Sequence, residues 1–232
     1  MSIFGTGTTG NNVEKEKDFS KRTLDTDVYA GTLKVVFAGQ AASGARNVTV
    51  QVKLDNGKDY NETVYISNKE GKNTYTKDDK EFYLPGFLLI NNLALMTTGK
   101  GLFELVDEVE TRTVKQYDFD ARAEVATDVP AIIPMIGKRV LIAIQEEEYE
   151  KTKLNESTGK YEGTGEYAVR NNIVKVYNEE TQQTAVEQRD DKPATQMQSW
   201  LDLNKGIVKK TESKNKAKTS PNQKAATPSG LF

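Results

Sequence analysis

Ala45-Arg-Asn-Val-Thr-Val-Gln-Val-Lys-Leu-Asp-Asn-Gly-Lys-Asp-Tyr-Asn-Glu-Thr-Val-Tyr-Ile-Ser67 sets the fold class. Val48, Val50, Val52 and Leu54 alternate with Asn47, Thr49, Gln51 and Lys53, the period-two pattern of a strand with one buried face. Asn56-Gly57 then supplies the two residues that most readily adopt a tight hairpin turn. After it, Val64 and Ile66 face inward and Thr63 and Tyr65 outward. Two antiparallel strands joined by a short turn follow directly.

Upstream, Val28–Ala38 is the first strand candidate, with Leu33, Val35 and Phe37 on one face and Thr32, Lys34 and Val36 on the other. Downstream, Lys72–Tyr83 has the pattern of a small two-stranded excursion with a polar tip. Leu84-Pro-Gly86 sets the chain direction into an apolar helix over Leu88–Thr97. Pro85 precedes that helix and Gly99 follows it, the usual start and stop residues. Its apolar residues occupy too much of the circumference for a surface helix, so it plugs the sheet. A short second helix at Phe103–Val109 and an extended Arg112–Phe119 come next. Pro130 and Pro134 make Val129–Met135 a connector rather than a central strand. Val140–Gln145 is a strong strand continued by Tyr149–Lys153. Asn155–Gly165 is a loop, Ala168–Tyr177 the last clear strand, and Glu179–Thr195 polar and irregular.

The expected fold is therefore all-β with minor α: a five-stranded OB-like Greek-key barrel with a helix between its third and fourth strands, and a disordered C-terminal tail. The expected division is a flexible arm at 1–26, an OB-like domain at 27–204 and a Lys-rich tail at 205–232. The chain has 232 residues, of which 36% are hydrophobic and 28% charged, so part of it is not packed. The tail carries seven lysines against one glutamate, +6, which leaves −8 on residues 1–204 of the net −2. An acidic body still binds nucleic acid where its cations line one groove.

With no cysteine and no histidine, thiolate metal sites, disulfides, His-bound zinc and Ser–His–Asp chemistry are excluded. An enzyme, a cofactor and a metal centre are not expected. Glu146-Glu-Glu148 and Asp78-Asp79 are the acidic runs open to a metal reading. Consecutive strand residues point to opposite faces, so both are taken as solvated charge. Gly5–Gly10 resembles a glycine-rich loop, but no strand precedes it. No apolar run is long enough to span a membrane, and a soluble intracellular protein is the plain expectation.

Several stretches, in order, resemble the bacteriophage single-stranded DNA-binding protein family: Gly71-Lys-Asn-Thr-Tyr75, Phe82-Tyr-Leu-Pro-Gly-Phe87, Ala94-Leu-Met-Thr-Thr-Gly-Lys100, Ile136-Gly-Lys-Arg-Val140, Arg170-Asn-Asn-Ile-Val-Lys-Val-Tyr177, Thr184-Ala-Val-Glu187, and Trp200 followed by Asn-Lys-Gly206. The resemblance covers roughly 28–206. It implies an OB-like fold, sequence-independent coating of single-stranded DNA in phage replication and recombination, and no catalysis. It also implies a place in the cytoplasm of an infected host, and recruitment of replication proteins (polymerase, helicase or primase) through the tail. Many such proteins end in an acidic run before an aromatic residue. Here the terminal Leu231-Phe232 keeps the aromatic end without the acidic run.

Coating a bare strand needs cations for phosphates and flat rings for bases. The outward faces and the excursion offer Lys34, Lys53, Tyr65, Lys69, Lys72, Tyr75, Lys77, Phe82 and Tyr83, joined by Arg139 and Tyr149. Leu231 and Phe232 are the candidates for docking a partner protein. A phage structural component, of tail tube or head decoration, is the alternative that the composition also fits.

Overall fold

The computed structural model describes residues 23–118 and 121–215. The Gly5–Gly10 stretch and the terminal Leu231 and Phe232 lie outside them. The fold is mostly β. An eight-stranded sheet carries a separate two-stranded hairpin, three α-helices and two short 3-10 helices on the described chain.

The opening hairpin forms as its pattern requires. β2 (Arg46–Leu54) and β3 (Asp59–Tyr65) pair antiparallel from Asn47↔Tyr65 to Lys53↔Asp59. Val48, Val50, Val52 and Leu54 are all buried, each stabilising the fold by about 1.5–3 kcal/mol relative to exposure.

β1 (Asp27–Gln40) departs from simple alternation. Its register against β2 slips between Leu33 and Val35, leaving Lys34 as the extra residue of a bulge. Leu33 and Val36 therefore share the main core, while Val35 and Phe37 turn to the opposite face. The expected grouping of Val36 with Lys34 fails for that reason.

α1 (Pro85–Thr98) begins three residues before the expected start, with Pro85 in its first turn, and ends on Gly99 at φ 75°. Phe87, Ile90, Leu93 and Ala94 enter the core between β3 and the later strands. Gly86 is needed where the helix meets β3: a Cβ there would lie 2.1 Å from the Tyr65 carbonyl oxygen.

β6 (Val109–Asp118) and β7 (Ala123–Ile132) make a ribbon that packs Val114, Val129 and Ala131 onto Phe37. The expected connector at Val129–Met135 is thus half strand. Pro130 is tolerated because β7 has β6 on one side and meets β1 only at Phe37↔Ala131 on the other. β8 (Arg139–Asn155) and β9 (Lys160–Tyr177) form a second, longer ribbon. The loop expected at Asn155–Gly165 shrinks to residues 156–159.

β1 gives its first half to β8 and its second half to β2. Among the described residues no strand pairing joins β3 to β9, so the sheet does not close into a barrel, and its strands number eight rather than five. The Glu62 carboxylate spans part of that seam, accepting the Ile173 backbone N–H at 2.6 Å and the Tyr60 hydroxyl at 2.7 Å.

Beyond β9, the stretch expected to be irregular contains α2 (Ala185–Arg189). α3 (Gln196–Asn204) follows and lays Trp200 on Ala143 and Tyr177, on the face of β8 away from the main core. The tail boundary at 205 also moves. The Gly206 N–H donates to the Thr26 carbonyl at 2.8 Å, and β10 (Lys209–Thr211) pairs parallel with Glu147–Tyr149 of β8. At the other end the arm stops short of 26: Leu24 is buried, and the Thr26 hydroxyl donates to the Ile207 carbonyl at 2.6 Å.

Candidate nucleic-acid interface

The proposed contact residues fall into three groups. The first lies at the β2–β3 turn. Lys34 and Lys53 are exposed, but both face one carboxylate, Asp59, at 3.6 and 3.2 Å. The Lys53 hydrogen bond lowers the Asp59 pKa, and the ammonium groups of Lys34 and Lys53 add to it. Arg139 is more fully occupied. It donates to both carboxylate oxygens of Asp55 at 2.6 and 2.8 Å and to Glu179 at 2.7 Å. A guanidinium forked onto two carboxylates ties the start of β8 to the β2–β3 turn, and its donors are spent on that task.

The second group is the excursion. β4 (Thr74–Lys77) and β5 (Lys80–Tyr83) pair as a hairpin turning on Asp78 and Asp79, both at positive φ. Asp tolerates that left-handed geometry, which suits a two-residue turn. Before it, the Asn68 side chain accepts the N–H groups of Glu70 and Lys72 at 3.0 and 2.9 Å, holding a tight loop that presents Lys69 and Lys72 to solvent. On the hairpin, Tyr75 and Phe82 stack at 5.8 Å between centroids and remain 42% and 44% exposed. Tyr83 rests on buried Phe87 at 5.2 Å, and Phe87 on exposed Phe103 at 5.3 Å. Tyr65, at the end of β3, is exposed beside the start of this segment. Lys69, Lys72, Lys77 and Lys80 take part in no ion pair among the described residues. Lys80 was not singled out from sequence, although it sits in the same basic and aromatic run.

The third group is Tyr149 alone. The Arg170 guanidinium covers one face of its ring at 4.5 Å, and the ring is only partly exposed. Tyr65 and Lys53 sit at opposite ends of the hairpin, six β2 positions apart by register, or roughly 20 Å at about 3.4 Å per residue. The structure therefore brings together Tyr65, Lys69, Lys72, Tyr75, Lys77, Phe82 and Tyr83, and leaves Lys34, Lys53, Arg139 and Tyr149 elsewhere.

Beside the excursion lies an open cleft of about 860 Å³, bounded by the hairpin, α1, β9 and α2. Tyr75, Phe82, Tyr83, Leu88, Val174 and Lys175 are among the residues that line it. Sequence reasoning missed Lys175, whose only signal was its polar position in the alternating Val174-Lys-Val176.

The acidic run is not solvated as expected. Glu146 and Glu147 are buried. Glu146 accepts the Thr23 hydroxyl at 2.8 Å. Glu147 accepts Arg170, Asn172 and Thr211 at 2.8, 2.9 and 2.6 Å. Burial works against the Glu147 charge, but these donors outweigh it and hold its pKa below the usual value. Among the described residues no cluster of three acidic side chains is placed to hold a metal ion, and no helix is long and apolar enough to cross a membrane.

No known protein-family model matches the chain, and a search of curated proteins finds no match.

Proposed function

We propose that the protein is a noncatalytic single-stranded DNA-binding protein of OB-like architecture, which coats DNA without sequence preference. The observation that carries this is the exposed ring set Tyr75, Phe82 and Tyr83 among the cations Lys69, Lys72, Lys77 and Lys80, which form no ion pair among the described residues. Rings give sequence-tolerant stacking, and ammonium groups neutralise phosphates with counterion release.

The OB-like reading draws on β1, β2, β3, β8 and β9. A bulged β1 is shared between β8 and β2, β9 lies on β8, and α1 falls between the third and fourth of these strands, beside the β3–β9 seam. The β4–β5 and β6–β7 ribbons are additions to that frame. The ordered motifs between residues 28 and 206 support the same assignment to phage replication and recombination in an infected host's cytoplasm. Replication proteins would then be met through Leu231 and Phe232.

A band-shift series with single-stranded DNA, duplex and RNA at two salt concentrations tests it. Single strands bind far more tightly than duplex, and the binding weakens with salt. Equal affinity for duplex and single strand overturns the proposal.

A further inference from the structure

We infer that bases of the bound strand enter the cleft between the β4–β5 hairpin, α1, β9 and α2, with Lys175 meeting a phosphate there and Asn92 meeting a base edge. This rests on the single-strand reading above and adds to it a path and two residues.

The cleft is built for an unpaired base. Its lining is aromatic at Tyr75 and Phe82, a stacked pair on one face of the hairpin, and apolar at Leu88, Val174 and Val186. Its volume of about 860 Å³ lies inside the roughly 300–1,000 Å³ range of small-ligand sites. A duplex keeps its base faces within its own stack and offers none to these rings.

A lysine inside the cleft suits a phosphate rather than a wholly apolar occupant. Lys175 lines the cleft half-buried and forms no ion pair among the described residues. Lys69, Lys72, Lys77 and Lys80 flank the same hairpin. The two carboxylates on the lining are already engaged: Glu81 accepts the Thr74 hydroxyl at 2.7 Å, and Glu187 accepts the N–H groups of Thr184, Thr195 and Gln196 at 2.8–2.9 Å. Lys192 is held by Asp190 at 3.0 Å, so Lys175 is the cation left over inside. Asn92 carries both donor and acceptor atoms, which lets its amide meet any base.

The test uses the full chain and oligo(dT) substituted with 5-iododeoxyuridine, photocrosslinked and mapped by mass spectrometry, alongside Lys175→Gln and Leu88→Glu. Crosslinks are expected on Tyr75, Phe82 or Tyr83. Lys175→Gln lowers the slope of log affinity against log salt by about 0.7, one phosphate contact on a single strand. Leu88→Glu weakens oligo(dT) binding, with an unchanged circular dichroism spectrum showing that it folds. If oligo(dT) binds but crosslinks only to Tyr65, Tyr161 or Tyr167, and Lys175→Gln keeps the wild-type slope, the cleft path is wrong while single-strand binding stands. If Leu88→Glu alters self-association in sedimentation and leaves DNA affinity intact, the cleft is a protein-docking face and the inference falls. Failure of the wild-type chain to bind oligo(dT) at low salt removes both proposals.

Discussion

The Glu62 carboxylate on β3 accepts the backbone N–H of Ile173 on β9 at 2.6 Å, across a seam where these two strands form no ladder. A side chain thus satisfies an edge amide that a neighbouring strand would otherwise have paired. Glu62→Ala strands that amide and the Tyr60 hydroxyl, and is expected to cost about 1–3 kcal/mol in urea unfolding. Burial raises the Glu62 pKa, against the opposing hydrogen bonds from Tyr60 and Ile173. The folded state therefore holds this proton more tightly than the unfolded one. The charge penalty is absent below the unfolded pKa and grows as pH rises through the folded value. Glu62→Gln should remove that decline with rising pH, which unfolding midpoints measured from pH 4 upward would detect.

Glu187 has the opposite sign. Burial pushes its carboxyl up, yet the backbone donors of Thr184, Thr195 and Gln196 and the Thr184 hydroxyl outweigh it, and the pKa is brought down to about 2. Its contribution is complete above the ordinary carboxylate range and is lost as pH falls toward 2. Glu187→Gln is expected to be less stable at neutral pH and to lose less between pH 5 and pH 2. Thermal melts across that range check it.

Arg139 joins the β2–β3 turn to the segment after β9 through Asp55 and Glu179. Arg139→Ala should lower the melting temperature and leave affinity for oligo(dT) unchanged. A large loss of affinity with an unchanged melt would return Arg139 to the binding surface.

Thr211 donates its hydroxyl to Glu147 at 2.6 Å, and its strand pairs with Tyr149 in parallel. Thr211→Pro removes both the hydroxyl and a backbone donor. Amide hydrogen exchange at Glu147–Tyr149 should then quicken, while exchange in β2 stays slow.

The hairpin was legible because it has one wet and one dry face, and the plugging helix because it is apolar nearly all round. Val48 to Leu54 alternate, Asn56-Gly57 turns the chain, and Pro85 and Gly99 bracket α1. What escaped lacked that contrast. Lys160–Gly163 projects in a ribbon largely exposed on both faces, so neither a period nor a dry side marks it as strand. The bulge at Lys34 reverses a face without any local sequence cue. Glu146 and Glu147 are buried because Thr23, Arg170, Asn172 and Thr211 reach them from distant segments. Of the candidate site, the excursion residues were legible as an interleaved run. Lys175 was not, since only folding brings β9 alongside the hairpin.

The most direct measurement is the fluorescence anisotropy of labelled oligo(dT) titrated with the wild-type chain and with Tyr75→Ala/Tyr83→Ala, each at two salt concentrations. Losing two stacking rings should weaken binding by at least about tenfold, at roughly 1–3 kcal/mol per ring, and leave the salt slope unchanged because no cation has been removed. Wild-type affinity in the double variant, or equally tight binding of labelled duplex, would contradict the account.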